Sequence, residues 1–160
     1  MGTTNLDALT LDSGDLTLTA GSVVISPVSG VTTFGPLVKL TETVAYDAFT
    51  DGGSTAGTYD ITVGTIPVGA TFLYAAVTAV TGFAGDTSAV LTIGDGTDAD
   101  RYNTGTPNVF ATAAAGVAVG APSGTLYHAT AATVTLTVTT AADFSSVSAG
   151  SLTVELYYLT

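Results

Sequence analysis

The sequence of 160 residues is 46% apolar and 9% charged, with 13 acidic side chains set against Lys39 and Arg101, one His and no Cys. That balance excludes a disordered chain of low hydrophobicity, and the length fits one domain with a short appendage. A net charge of −11 offers no basic patch to nucleic acid or to an anionic membrane, and the lack of Cys excludes disulfides, a thiol nucleophile and thiolate metal sites.

Thr, Val, Ala and Gly dominate and the strong helix formers are scarce, so the expected class is all-β. The N-terminus carries no basic residue and no continuous apolar region, so no secretory signal is expected. Every apolar run is interrupted well short of the ~20 residues that span a bilayer, and no membrane role is expected.

Leu9-Thr10-Leu11-Asp12-Ser13-Gly14-Asp15 is followed at once by Leu16-Thr17-Leu18-Thr19-Ala20-Gly21-Ser22 and then by Val23-Val24-Ile25-Ser26, one seven-residue unit nearly three times over. Its apolar residues stand two positions apart, whereas a coiled coil needs alternating separations of three and four. Each unit therefore reads as a short strand and a tight turn, with Leu9, Leu11, Leu16, Leu18, Val23 and Ile25 along one face. So few rungs enclose no interior. This arm needs a partner: copies of itself, the body of its own chain, or another protein.

Pro27, Gly30, Gly35 and Pro36 punctuate a connector, which places the arm at residues 1–35 and the body at 36–160. Candidate strands in the body are 37–46, 57–66, 70–80, 88–94, 108–112, 125–128, 133–139 and 151–159. Residues 70–80 are apolar on both faces, which suits a strand between two layers or at a subunit interface; a buried helix is the alternative. With 88–94 they read as a hairpin turned by residues 81–87. Alternation is clearest at Val134, Leu136 and Val138, and at Leu152, Val154, Leu156 and Tyr158. The Ala-rich stretch at 110–122 reads as a small-residue strand and loop. Eight strands without a helical crossover imply an antiparallel β-sandwich, jelly-roll-like, with an immunoglobulin-like sandwich as the runner-up.

Chemistry is sparse. His128 has no nucleophile elbow beside it and reads as structural or exposed, and Glu42 and Glu155 sit in strands without the setting of a raised-pKa acid. No phosphate loop is present, no cofactor is expected and no enzyme is indicated. The densest polar cluster holds Asp95, Asp98, Asp100 and Arg101. It reads as a structural loop of Asx-type turns in which Asp100 or a neighbour pairs with Arg101, in preference to a Ca²⁺ site, whose ligand spacing it lacks. Tyr157-Tyr158, with Tyr46, Tyr59 and Tyr74, reads as half-buried packing, with sugar stacking as the rival.

Three features from Leu73 to Tyr158 carry a resemblance: the apolar strands up to Ile93, the loop from Ile93-Gly94-Asp95-Gly96 to Asp100-Arg101-Tyr102, and the closing strand Gly150-Ser151-Leu152-Thr153-Val154-Glu155-Leu156-Tyr157-Tyr158. They resemble the small β-sandwich decoration, cement or head-fibre proteins of tailed bacteriophages, and the Leu-Thr-Leu repeat resembles the short β-repeats of phage fibres. The resemblance implies a structural virion protein without catalytic residues, a homotrimer on the outside of the head clamping the major capsid protein, assembled in the host cytoplasm. A fibre or tail-tip module that recognises host cell-surface glycan is the alternative it implies.

Overall fold

The computed structural model describes the backbone of residues 24–25 and 32–33 together with residues 37–110 and 113–160. The chain divides into two units, Met1–Gly35 and Pro36–Thr160. In the first, β1 (Val24–Ile25) pairs antiparallel with β2 (Thr32–Thr33), Ile25 lying opposite Thr32.

The second unit is an antiparallel β-sandwich. Its strands are β3 (Leu37–Ala45), β4 (Thr50–Asp51), β5 (Ala56–Asp60), β6 (Thr71–Val80), β7 (Ala89–Gly94), β8 (Ala114–Val117), β9 (Thr135–Thr140) and β10 (Ser151–Leu159). One sheet has the order β3-β10-β6-β8 and the other β4-β5-β9-β7. Residues 107–110 extend the second sheet past β7: Leu91 N–H donates to the Pro107 carbonyl and Val109 N–H to the Ala89 carbonyl. With that segment counted, the chain passes back and forth between the sheets as in a jelly roll.

The alternating strands bury the expected sets. Leu136 and Val138 of β9, with Val134 just before it, meet Leu152, Val154, Leu156 and Tyr158 of β10 in one core with Phe72, Val77, Leu91 and Ile93. Each such side chain contributes roughly 1.5–3 kcal/mol when fully withdrawn from water. Thr135, Thr137 and Thr139 of β9 face outward, while Thr140 at its end is buried and donates from Oγ1 to the Thr55 and Ala142 carbonyls. Glu42 of β3 ties the sheets together at their margin, accepting from Tyr59 Oη at 2.6 Å and from Thr62 N and Oγ1 at 2.8 and 2.6 Å.

Three local expectations are corrected. Residues 70–80 and 88–94 form no hairpin, because β6 and β7 lie in opposite sheets. Residues 81–87 cross between layers, held by Thr81 N–H to the Ser151 carbonyl and Phe83 N–H to the Val109 carbonyl. These long-range backbone bonds, and not the composition of residues 81–87, carry the chain to the other sheet. Second, residues 125–128 form no strand of their own: β8 lines the Val77 to Val80 end of β6, and 125–128 supplies only a bridge from Tyr127 to Thr71 beside the other end. Third, the strand begun at 57 ends at Asp60, and residues 108–110 contribute isolated bridges at Asn108 and Phe110.

The two-faced pattern of β6 has a geometric origin. Phe72, Ala75, Val77 and Val80 are buried, a series whose parity slips twice. Leu73 is an extra residue between the Tyr157–Tyr74 and Tyr158–Phe72 pairs, and Ala79 takes φ 49 just before Val80. Each irregularity turns the following side chains over, so inward and outward residues come from both parity classes.

Candidate functional site

Among the described residues, polar side chains concentrate where β5, β9 and β7 end together. Asp60 lies opposite Thr135, and Thr135 lies opposite Gly94. The loop after Gly94 folds back over it so closely that a Cβ there would run into the Asp98 carbonyl. Asp95 organises this loop: Oδ1 accepts from Thr97 N and Asp98 N, both at 2.9 Å, and Oδ2 accepts from Arg101 Nη1 at 2.8 Å. Burial pushes the Asp95 carboxyl up, and the donors from Thr97, Asp98 and Arg101 together outweigh it and hold it below the ordinary carboxylate value. Arg101 also donates from Nη2 to the Thr125 carbonyl at 2.8 Å. Gly124 makes room for it, since a Cβ there would stand 2.7 Å from Arg101 Cγ.

The partner of Arg101 is thus Asp95, while Asp98 and Asp100 are exposed and serve the loop mainly through their carbonyls, which accept from Asp95 N and from Ser123 Oγ. An open pocket of about 260 Å³ lies here, with Asp60, Asp95, Thr97, Arg101, Thr130 and Thr135 in its wall. Thr135 Oγ1 donates to Asp60 Oδ1 at 2.6 Å. The wall supplies hydroxyls, carboxylates and a guanidinium.

Beneath the loop, Tyr102 and His128 are both 1% exposed, with Tyr102 Oη and His128 Nε2 3.4 Å apart. Burial pushes the Tyr102 hydroxyl up to about 12. Burial, then the positive charge of Arg101, pushes His128 down. The fold therefore favours neutral imidazole. The unfolded chain takes up the proton first as pH falls below about 6.5, so stability is full above that value and declines as pH drops toward the lower folded-state pKa. Thermal melts from pH 7 to 5 should show this decline, and His128→Gln should flatten it; an equal decline in the variant would place the titration elsewhere. Glu42 agrees with the absence of a raised-pKa acid: burial pushes it up, but Thr62, Tyr59 and Val63 donors hold it below its usual value.

The tyrosines do not form one surface. Tyr158 is buried, Tyr46 and Tyr59 pack against the core, and Tyr74 stacks on Tyr157 with ring centroids 4.4 Å apart on the outer face of the first sheet. Beside them Lys39 Nζ donates to Glu155 Oε1 at 2.7 Å and Tyr157 Oη to Glu155 Oε2 at 2.7 Å. Sequence reasoning missed this cluster, whose members are far apart in the chain; the one available signal was the outward alternation of Glu155 and Tyr157. Of the arm residues, Leu9, Leu11, Leu16, Leu18 and Val23 lie outside the described residues, and Ile25 is described only by its backbone pairing.

No protein-family model and no curated protein matches the sequence. A solved structure does: a chain of the cyanophage Pam1 capsid asymmetric unit superposes with a TM-score of 0.52 at 19% identity, over 97% of this chain and 100% of that one. The two chains share a fold.

Proposed function

We propose that this chain is a non-enzymatic virion structural protein that decorates and cements a tailed-phage head as an outer homotrimer, with the major capsid protein as its partner. The observation that supports this reading is the fold shared over 97% of the chain with a component of a phage capsid asymmetric unit. The charge is in keeping: a net −11 disfavours nucleic acid and anionic membrane as partners. In this reading the protein assembles in the host cytoplasm, stands on the outer surface of the head, and uses Leu9, Leu11, Leu16, Leu18, Val23 and Ile25 for capsid contact or the trimer seam. Burial of six such side chains is worth on the order of 10 kcal/mol before the ordering entropy of the arm is subtracted.

The test is binding to phage heads that lack the protein. Full-length chain carrying an electron-dense label should appear over the head and make it more heat resistant. A chain beginning at Thr33 retains the described core, whose buried hydrophobic residues run from Val44 to Tyr158. It should keep β-type circular dichroism and a cooperative melt yet lose head binding. Label confined to the tail would refute decoration, and full-affinity binding by the truncated chain would move attachment to the body.

A further inference from the structure

The outward faces of the two sheets differ in chemistry. The second presents Thr58, Thr92, Thr137 and Asp60. On the first, cross-strand pairing sets Leu37, Leu159, Thr71 and Tyr127 in one row and Lys39, Tyr157 and Tyr74 in the next. Side chains directly opposite one another share a face. Leu37, Tyr74 and Tyr127 are 60%, 47% and 56% exposed. Apolar exposure concentrated in this way marks an interaction surface.

Charge decides what can cover it. The chain has two side-chain cations, and both are committed within the fold, Lys39 to Glu155 at 2.7 Å and Arg101 to Asp95 at 2.8 Å. A second copy therefore brings an excess of carboxylates and no free Lys or Arg to answer those of the first. Contact between copies through any acid-bearing region meets uncompensated like charge. Among the described acids, Glu155 alone points outward from this sheet, and Lys39 neutralises it. Its aromatic surface is also held in place: Tyr74 and Tyr157 are stacked at 17°, and Lys39 sits over the Tyr157 ring at 5.7 Å, so little side-chain freedom remains to be lost on docking.

We propose that the end of this face bearing Leu37, Tyr74 and Tyr127 is where copies of the chain meet. The inference deepens the oligomer in the reading above, but its test reads association alone and needs no phage head.

The experiment is light scattering and sedimentation of the full chain at micromolar concentration, in about 0.1 M and about 1 M salt, where screening lengths are about 10 and 3 Å. The chain should be oligomeric and its association strengthened by salt. Tyr74→Asp and Leu37→Asp each place one carboxylate per copy on the face at an exposed position, and should weaken association about a hundredfold or more while leaving the circular dichroism spectrum intact. Thr58→Asp adds the same charge to the other sheet and should leave the assembly unchanged. A wild-type monomer at both salt concentrations would overturn the proposal, as would Asp variants with unchanged mass. Equal dissociation by Thr58→Asp would reduce the effect to net charge and overturn it too.

Discussion

Replacing Asp95 with Ala should destabilise the body by about 3–5 kcal/mol, the range for removing one partner of a buried ion pair. The change strands more than a charge. The Asp95 side chain is 7% exposed and that of Arg101 21%, so Arg101 would be left largely desolvated without its carboxylate, and the Thr97 and Asp98 amides would lose their acceptor. Asp95→Asn keeps an acceptor for the amides and should lose less. Denaturant unfolding at constant slope reads the difference. A loss below about 1 kcal/mol would put the pair in the class of solvent-screened surface bridges. The pH dependence has a definite sign: with its folded-state pKa below the ordinary 3.8, Asp95 stabilises the fold above that value, and the contribution vanishes as pH falls through the lower folded-state pKa.

Leu136→Ala should cost about 2–5 kcal/mol, the loss of buried methyl groups plus the cavity they leave. Leu136 is fully buried at the centre of the second sheet, opposite Tyr59 on one side and Ile93 on the other, so backbone collapse into the gap would disturb two strand pairings. Thr58→Ala, on the outward face of the neighbouring strand, should stay within about 0.5 kcal/mol. The two variants together test the division between inner and outer faces. Comparable losses would mean that the outward face of this sheet is covered as well.

How much of the fold was legible depended on whether alternation ran unbroken. Residues 133–139 and 151–159 could be read because every second side chain enters the core, and β10 keeps that register with β3 over its whole length. Residues 70–80 could be read as a strand but not for direction of face, since Leu73 and Ala79 each reset the parity. The hairpin expectation failed for a different reason: a short Gly-containing turn has the same local composition whether it reverses a strand within one sheet or carries it to the other, and long-range partners such as Val109 and Ser151 decide between them. In the polar loop, the spacing of Asp95, Asp98 and Asp100 around Arg101 left the choice of ion partner open. The folding of the loop over Gly94 and the room left by Gly124 bring Arg101 to Asp95. The stacked Tyr74 and Tyr157, by contrast, depend on a bulge and a strand pairing across more than half the body, which no local pattern reports.

The position of β10 governs how this protein is made. It is the central rib of the first sheet, with Leu159 opposite Leu37 on one side and Thr71 on the other. During synthesis β3 and β6 therefore leave the ribosome with their inner edges open, and they stay open until Ser151–Leu159 follows them out. Until β10 pairs, the body holds two unpaired edges, a template for pairing with neighbouring chains. Closure joins strands far apart in the chain, and pairings of such high contact order slow folding.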